Sequence, residues 1–257
     1  MPPTMYAIGA AVGAAAGAYT LYVLLSPKKK LPKRIKLTYF DMPATPGEKV
    51  RLALVLTVGK SGFTDDRIKG ADWSKVKEER QPRYGQMPIM SLDGDLFYQS
   101  SSMLRYVGSE LGDGSLYPMH DAALRMKIEE ILGLSDDLQR AWMPNLYVGM
   151  RPTWAGYPKD WAADAKAAKV KEMRENFVAT ELPKYCAFLE THLKETGAFL
   201  AGPTPTIADC QLLPQLAYFT RGAADHVPTT VLDGWPEIKK YLARMLSLPA
   251  VKDWYGL

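Results

Sequence analysis

The residues best suited to chemistry lie in one stretch, from Gly85 to Ser100. Within it, Ile89 to Leu92 predicts a short strand, Asp93-Gly94 is typical of a two-residue hairpin turn, and Leu96 to Tyr98 predicts the returning strand. A helix then begins, with Ser100 or a neighbour as its N-cap. Because a helix start presents free N–H groups and a positive dipole end, this point of the chain is suited to hold a carboxylate.

Pro88 stands directly before the first of these strands. A proline at a strand start removes a backbone donor from the sheet. A cis bond before Pro88 would explain its position, because it turns the backbone N–H and C=O of Met87 outward. An exposed Met87 backbone can pair with an extended peptide as an added strand. We therefore predict a cis peptide bond here and a bound peptide beside it.

Four motifs in order carry a family resemblance, and together they are fairly specific. They are Lys36 to Phe40, Ala71-Asp72-Trp73 with Lys77, Gln86-Met87-Pro88, and Gln99-Ser100. In this arrangement the chain resembles the tyrosine-type cytosolic glutathione transferases, most closely the sigma class, from about Arg34 to its end. The run Thr206 to Asp209, which reads as a helix capping box, is a fifth point of resemblance.

The resemblance implies that Tyr39, at the end of the first strand, donates its phenol to the thiol of glutathione. A free thiol has a pKa of about 8.5, and a hydroxyl donating to the sulfur favours the reactive thiolate. In a homodimer, Asp137 would reach across to the γ-glutamyl amine of the glutathione that the partner subunit binds. The implied glutathione-binding residues are Tyr39, Trp73, Lys77, Gln86, Met87, Pro88, Gln99, Ser100 and Asp137.

A second substrate of this family is apolar and electrophilic, and it lies beside the sulfur. Trp142, Met143 and Tyr147 cluster late in a predicted long helix and are the expected wall of such a pocket. Methionine and aromatic side chains adapt to varied ligands. The alternative is that these three side chains belong to the core.

The loop after the first strand departs from the family pattern. Sigma-like proteins carry an Arg-Gly-Arg-Ala-Glu run there, whereas this chain reads Pro43 to Glu48, which is longer and lacks arginine. Only Glu48 and Arg51 match the positions of the family pattern. The departure favours an alternative in which the chain is a non-catalytic, glutathione-transferase-like accessory subunit of a membrane complex.

Composition excludes several other classes of protein. The chain has 257 residues, is 47% apolar, and has a formal net charge of +4, much of it in a cluster from Lys28 to Arg34. No broad basic surface for nucleic acid is implied. The two cysteines, Cys186 and Cys210, fall in helical patterns and are expected to be reduced core residues, and no Cys/His spacing suits a metal.

The fold class expected is α/β plus all-α: a thioredoxin-like domain over 34–112, in the order β-α-β-α-β-β-α, and a helical bundle over 119–257. We expect a long helix over 121–148 that breaks near Pro144. Further helical patterns cover 160–196, with Phe188 on the buried side, and 236–246.

The first 33 residues predict an anchor and a basic linker. Residues 5–25 hold no charged side chain and are long enough to cross a bilayer as one helix, with basic residues following them. The alternative is a cleaved targeting segment, although a secretory signal needs its positive charge before the apolar run. The basic flank places the large C-terminal part on the cytosolic, matrix or stromal side, with the mitochondrion and endoplasmic reticulum both open.

The sequence therefore predicts a membrane-anchored glutathione transferase that uses glutathione as co-substrate against lipophilic electrophiles. Peroxidase or isomerase activity belongs to the same chemistry. Gly9, Gly13 and Gly17 repeat every four residues and would let another helix approach within the membrane. A homodimer or a membrane complex is thus the expected assembly, and the accessory subunit remains the alternative.

Overall fold

The sheet begins where the alternating apolar pattern begins. The computed structural model describes residues 31–257, of which residues 33–257 form one compact unit. Its sheet has the order β2-β1-β3-β4, with β1 parallel to β2 and β3 antiparallel to both β1 and β4. The strands are β1 (Ile35–Phe40), β2 (Thr64–Ile68), β3 (Ile89–Leu92) and β4 (Asp95–Tyr98).

Helices follow the strands in the predicted order β-α-β-α-β-β-α, which is confirmed, and the rest of the described chain is helical. The bounds of the two predicted domains stay a prediction, since residues 33–257 pack as one unit. The helices are α1 (Thr45–Val58), α2 (Trp73–Arg80), α3 (Ser100–Glu110), α4 (Ala122–Met150), α5 (Ala163–Asn176), α6 (Leu182–Thr196), α7 (Ile207–Thr220), α8 (Pro236–Ser247) and α9 (Pro249–Tyr255).

The hairpin between β3 and β4 has the predicted two-residue turn. Asp93 and Gly94 both adopt positive φ, 54° and 116°, which is the geometry that Asp-Gly pairs favour. The Asp93 carboxylate also accepts hydrogen bonds from the backbone of Lys33 and Arg34 at 3.0 and 2.9 Å. The turn therefore holds the start of β1 in register.

Helix α1 is the central element of the unit. Its residues from Gly47 to Val55 are all buried, because α3, α7 and α9 pack around it beside the sheet. A helix that is buried on every side normally carries apolar side chains throughout. The charged residues Glu48, Lys49 and Arg51 are the exceptions, and each has polar partners.

The predicted capping box at the start of α7 is confirmed. The backbone N–H and the hydroxyl of Thr206 both donate to the Asp209 carboxylate, at 2.7 and 2.9 Å. The Leu200 N–H donates to the same carboxylate at 3.0 Å. Complete burial raises the pKa of Asp209 to about 6 despite these donors.

The helical half differs from expectation in several places. Helix α4 continues through Pro144 without a break; Pro144 is exposed, so water can serve the backbone carbonyl that it leaves without a donor. A π-helical turn, Phe177–Glu181, divides the predicted segment 160–196 just before Pro183. Helix α9 was not predicted.

Phe188, predicted on the buried side of this segment, is 58% exposed. Cys186 and Leu189, on either side of it, are buried, so the buried stripe passes beside Phe188. Cys186 and Cys210 are free and buried, as predicted. Burial raises the pKa of the Cys186 thiol to about 12, which keeps it unreactive.

The predicted anchor over 5–25, with Gly9, Gly13 and Gly17, lies outside the described residues. Among residues 31–257, no helix is both long and apolar enough to cross a membrane.

Candidate functional site

The strand register brings the predicted site residues to one end of the sheet. Thr38 of β1 pairs with Ile89 of β3, and Ile89 pairs with Tyr98 of β4. The next residue toward that end is therefore Tyr39 on β1, Pro88 before β3, and Gln99 after β4. Three separate predictions from sequence thus meet at one edge, where α3 also begins.

The Met87–Pro88 bond is cis, as predicted. Pro88 itself is buried, while Met87 is half-buried and Gln86 is exposed. The segment just before β3 therefore offers partly exposed backbone beside the sheet edge, as a peptide adding in the manner of a strand requires.

The start of α3 carries no side-chain cap. Gln99 occupies the N-cap position with φ 72° and ψ 106°, and its side chain makes no capping hydrogen bond. Ser100 is the first helical residue rather than the N-cap, so its hydroxyl does not serve as the capping acceptor that its residue type suggested. The first-turn N–H groups are thus open to an external acceptor such as a carboxylate.

Trp73 and Lys77 lie on α2 at the same end of the sheet. The Trp73 ring meets the Phe40 ring edge-on, with 5.8 Å between centroids. A Cβ atom placed on Gly85 would lie 3.5 Å from the Lys77 ammonium, so the lysine reaches the segment that carries Gln86 and Met87. Lys77 and Gln86 are exposed and Trp73 is half-buried, which leaves this side accessible to a ligand.

Tyr39 is more buried than expected. We expected its phenol to point into an open site, but its side chain is 5% exposed. A Cβ atom on Gly47 would lie 2.0 Å from a Tyr39 ring carbon, so the first turn of α1 packs directly over the ring. Helix α1 begins at Thr45, after the longer loop noted in the sequence, and its first turn lies across the ring.

Burial also sets the protonation of this phenol. It raises the pKa of Tyr39 to about 12, with the Arg51 guanidinium and the Gly47 N–H partly opposing the rise. The phenol is therefore protonated at neutral pH and is a hydrogen-bond donor. A thiolate-stabilising donor needs this form.

Arg51 fixes the backbone that follows Tyr39. Its guanidinium pairs with Glu48 at 3.2 Å and Asp65 at 2.8 Å, and it donates to the carbonyl oxygens of Phe40 and Met42. The loop over 43–47 contains no arginine, but the Arg51 guanidinium lies 5.5 Å from the centre of the Tyr39 ring. This cluster holds Tyr39 and the start of α1 together.

An aromatic cavity lies at the far end of α4. Its volume is about 360 Å³, and Met143 and Tyr147, two of the predicted pocket residues, line it. Trp142 does not: it is 6% exposed and packs against Phe177 and Phe219 in the core, with ring centroids 5.0 and 5.2 Å away. The alternative that it is a core residue describes it correctly. The other lining residues are Arg140, Pro144, Trp154, Ala155, Tyr157 and Met173.

Asp137 is exposed on α4 and pairs with Arg140 one turn along the helix. Its neighbour Asp136 instead accepts a hydrogen bond from Gln211 of α7 at 2.9 Å. The two adjacent aspartates therefore face different surroundings.

Lys49 is a polar residue of this region that sequence analysis did not single out. It is 4% exposed, and its ammonium donates to Ser101 of α3 at 3.2 Å and to Gln211 at 2.8 Å. No signal in the sequence marks it, because Lys49 stands between the charged residues Glu48 and Arg51 at the start of α1.

Comparison with known proteins finds similarity to the family that the sequence motifs resemble. Residues 158–256 match the family model for the glutathione S-transferase C-terminal domain. Glutathione S-transferase 1 of Ascaris suum is 29% identical over 220 residues, covering 85% of this chain and 94% of the relative. Hematopoietic prostaglandin D synthase of Gallus gallus is 26% identical, with coverage of 85% and 94%.

Solved structures agree on the fold. A monomeric glutathione S-transferase of Necator americanus superposes with a TM-score of 0.64 at 25% identity, covering 87% of this chain and 96% of that one. A prostaglandin D synthase of Nilaparvata lugens gives a TM-score of 0.69 at 22% identity, over 87% and 97%. From these matches, the chain is similar to glutathione S-transferases over about 85% of its length, and residues 158–256 match the C-terminal domain of that family.

Proposed function

We propose that the chain is a glutathione transferase that binds glutathione at the end of the sheet and activates its thiol for attack on lipophilic electrophiles. The observation that carries the proposal is the meeting of Tyr39, the cis Met87–Pro88 bond and the uncapped start of α3 at one edge. Relatives named glutathione S-transferase support the same activity.

Each residue has a role in this proposal. The start of α3, with Gln99 and Ser100, holds the γ-glutamyl carboxylate, and the Met87 backbone pairs with the cysteinyl unit. On the open side, Trp73 and Lys77 hold the glycyl carboxylate with help from Gln86. The Tyr39 phenol donates to the sulfur, and Met143 and Tyr147 contact the apolar electrophile.

The test is conjugation of glutathione to chlorodinitrobenzene by the full chain and by Tyr39→Phe. Removing one hydrogen bond to a thiolate is expected to lower kcat/KM about thirtyfold, which corresponds to ~2 kcal/mol. The pH at which kcat/KM reaches half its maximum should rise as well, because the bound thiol loses its donor. Tyr106→Phe, on the half-buried side of α3, is the matched control and should change kcat/KM less than twofold.

Wild-type activity that Tyr39→Phe leaves intact would remove Tyr39 from the mechanism. The alternative function, a non-catalytic accessory subunit, is favoured by one observation: the phenol is 5% exposed beneath the first turn of α1. Glutathione binding without conjugation by the wild-type chain would support that alternative.

We also propose, from sequence, that residues 5–25 anchor the protein in a membrane with the remainder on the cytosolic, matrix or stromal side. Alkaline carbonate extraction of cell membranes tests this. The full chain should stay in the pellet, and a chain lacking residues 1–30 should be released. A homodimer, in which Asp137 serves the glutathione site of the partner, completes the proposal.

A further inference from the structure

The environment of Lys49 is unusual for a buried lysine. Its side chain is 4% exposed, yet both of its hydrogen-bond acceptors, Ser101 Oγ and Gln211 Oε1, are neutral. Within residues 31–257 no carboxylate forms an ion pair with it. Buried ammonium groups are normally paired with a carboxylate, so this charge lacks its usual counterion.

The position of the charge makes the arrangement less favourable still. Ser101 is the second residue of α3, so the ammonium lies against the N-terminal turn of that helix. A helix N-terminus carries partial positive charge, and the two positive charges repel each other. Nothing in the first turn of α3 offsets them, since the turn contains no acidic residue and no side-chain cap.

The charged groups around Lys49 do not fully compensate it. Asp136 on α4 does not contact the Lys49 ammonium directly. The Gln211 side chain lies between them and donates to the Asp136 carboxylate at 2.9 Å. Arg105 on α3 adds positive charge, although it is itself paired with Glu129 at 2.5 Å. On α1 itself, Glu48 is paired with Arg51.

We propose that Lys49 is a positioning residue for the γ-glutamyl carboxylate of glutathione, holding Ser101 and supplying buried positive charge behind the start of α3. This inference rests on the proposed function, since it takes the α3 N-terminus as the carboxylate site. A bound carboxylate provides the negative charge that the helix start and the ammonium both lack. The charge then strengthens binding without Lys49 having to reach the ligand.

The proposal makes binding depend on pH in a defined direction. Burial lowers the pKa of Lys49 to about 8, with Asp136 opposing and Arg105 assisting the shift. The ammonium is therefore present at pH 6.5 and largely lost at pH 9.5. Carboxylate affinity should fall between these two values.

The experiment uses calorimetric titration of the full chain with S-methylglutathione, whose blocked sulfur does not ionise. The second probe is the same molecule without its γ-glutamyl carboxylate. At pH 6.5, Lys49→Met should weaken S-methylglutathione binding about tenfold, as expected for one unit charge ~8 Å away at an effective dielectric constant of about 30. Binding of the probe without the carboxylate should change less than twofold.

Three controls separate charge from packing. Lys49→Arg keeps a permanent charge at both pH values. Its affinity for S-methylglutathione should change between pH 6.5 and 9.5 only as much as that of Lys49→Met, in which ionisation of the ligand amine is the remaining cause. Lys75→Met, on the exposed face of α2, should leave both affinities unchanged. If Lys49→Met does not fold, the wild-type chain alone decides, through the ratio of its two affinities at the two pH values.

The outcomes are distinguishable. S-methylglutathione binding that is equal in wild type and Lys49→Met, or a wild-type affinity ratio that is constant with pH, overturns this inference and leaves the proposed function standing. Absence of wild-type binding to S-methylglutathione overturns the proposed function and this inference together.

Discussion

The two sides of the proposed glutathione site differ sharply in burial. We call Tyr39, Gly47 and Lys49 the floor of the site, since all three are buried beneath or within the start of α1. We call Trp73, Lys77 and Gln86 the rim, since each is half-buried or exposed. In the proposed function both sides bind one tripeptide, whose two carboxylates would then meet different physical surroundings.

This difference in burial determines which substitutions should affect binding most. Charges act more strongly in the low-dielectric floor, and the pKa values of Tyr39 and Lys49 are displaced there to about 12 and about 8. The rim is in contact with solvent, where salt screens charge and side chains can adjust. Substitutions in the floor should therefore cost much more than equivalent substitutions in the rim.

Gly47→Ala should have the largest effect. The new Cβ would lie 2.0 Å from one Tyr39 ring carbon and 2.2 Å from another, and a ring that is 5% exposed has no free space to move into. We expect a loss of about 3 kcal/mol in the free energy of unfolding, measured in urea. Glutathione affinity should fall too, because Tyr39 and α1 separate.

Gly133→Ala is the matched control for that substitution. Gly133 is exposed on α4, and its Cβ would meet nothing within 4 Å. Alanine there should stabilise the helix by about 0.5–1 kcal/mol. Equal effects of the two substitutions would contradict the packing of Tyr39 against α1.

Local signals account for the parts of this structure that sequence predicted well. The Asp93-Gly94 turn, the cis bond before Pro88 and the Thr206 capping box each depend on neighbouring residues. Their geometry follows from backbone preferences and short-range hydrogen bonds, which the sequence carries directly. The order of strands and helices follows from the same kind of information.

Long-range packing accounts for the parts that sequence could not predict. Whether Tyr39 is open or covered depends on how α1 lies across it, and the position of Lys49 depends on α3 and α7. Asp136, which faces Gln211, and the exposed Asp137 are consecutive in the sequence. No periodic pattern distinguishes two adjacent residues of the same type until the partner helix is known.

Lys49 should give the next largest effect, in stability rather than binding. Its pKa is about 8 in the folded protein and about 10.4 in an unfolded chain. Between these values the unfolded chain binds more protons, so the contribution of Lys49 to folding becomes more favourable as pH rises. The free energy of unfolding of wild type minus that of Lys49→Met should increase by about 2 kcal/mol from pH 7 to 9.5.

Urea unfolding of both chains at pH 7, 8.5 and 9.5 measures this difference. Tyrosine and cysteine ionisation also changes stability in this range, but it is common to both chains and cancels. A difference that is flat with pH, or that falls, would show that Lys49 is solvated and paired in the folded protein.

Lys77 should give the smallest effect, and it tests the other side of the comparison. Its ammonium is exposed and lies near Gly85, so the attraction proposed for the glycyl carboxylate should be weakened by water and salt. We expect Lys77→Gln to raise the Kd for S-methylglutathione about threefold at 20 mM salt and hardly at all at 500 mM salt, since the Debye length contracts several-fold over this range. The tenfold loss in Lys49→Met should persist at 500 mM salt, because its charge is shielded from ions by the helices around it. If the two lysines responded to salt in the same way, burial would not be what separates the floor of the site from its rim.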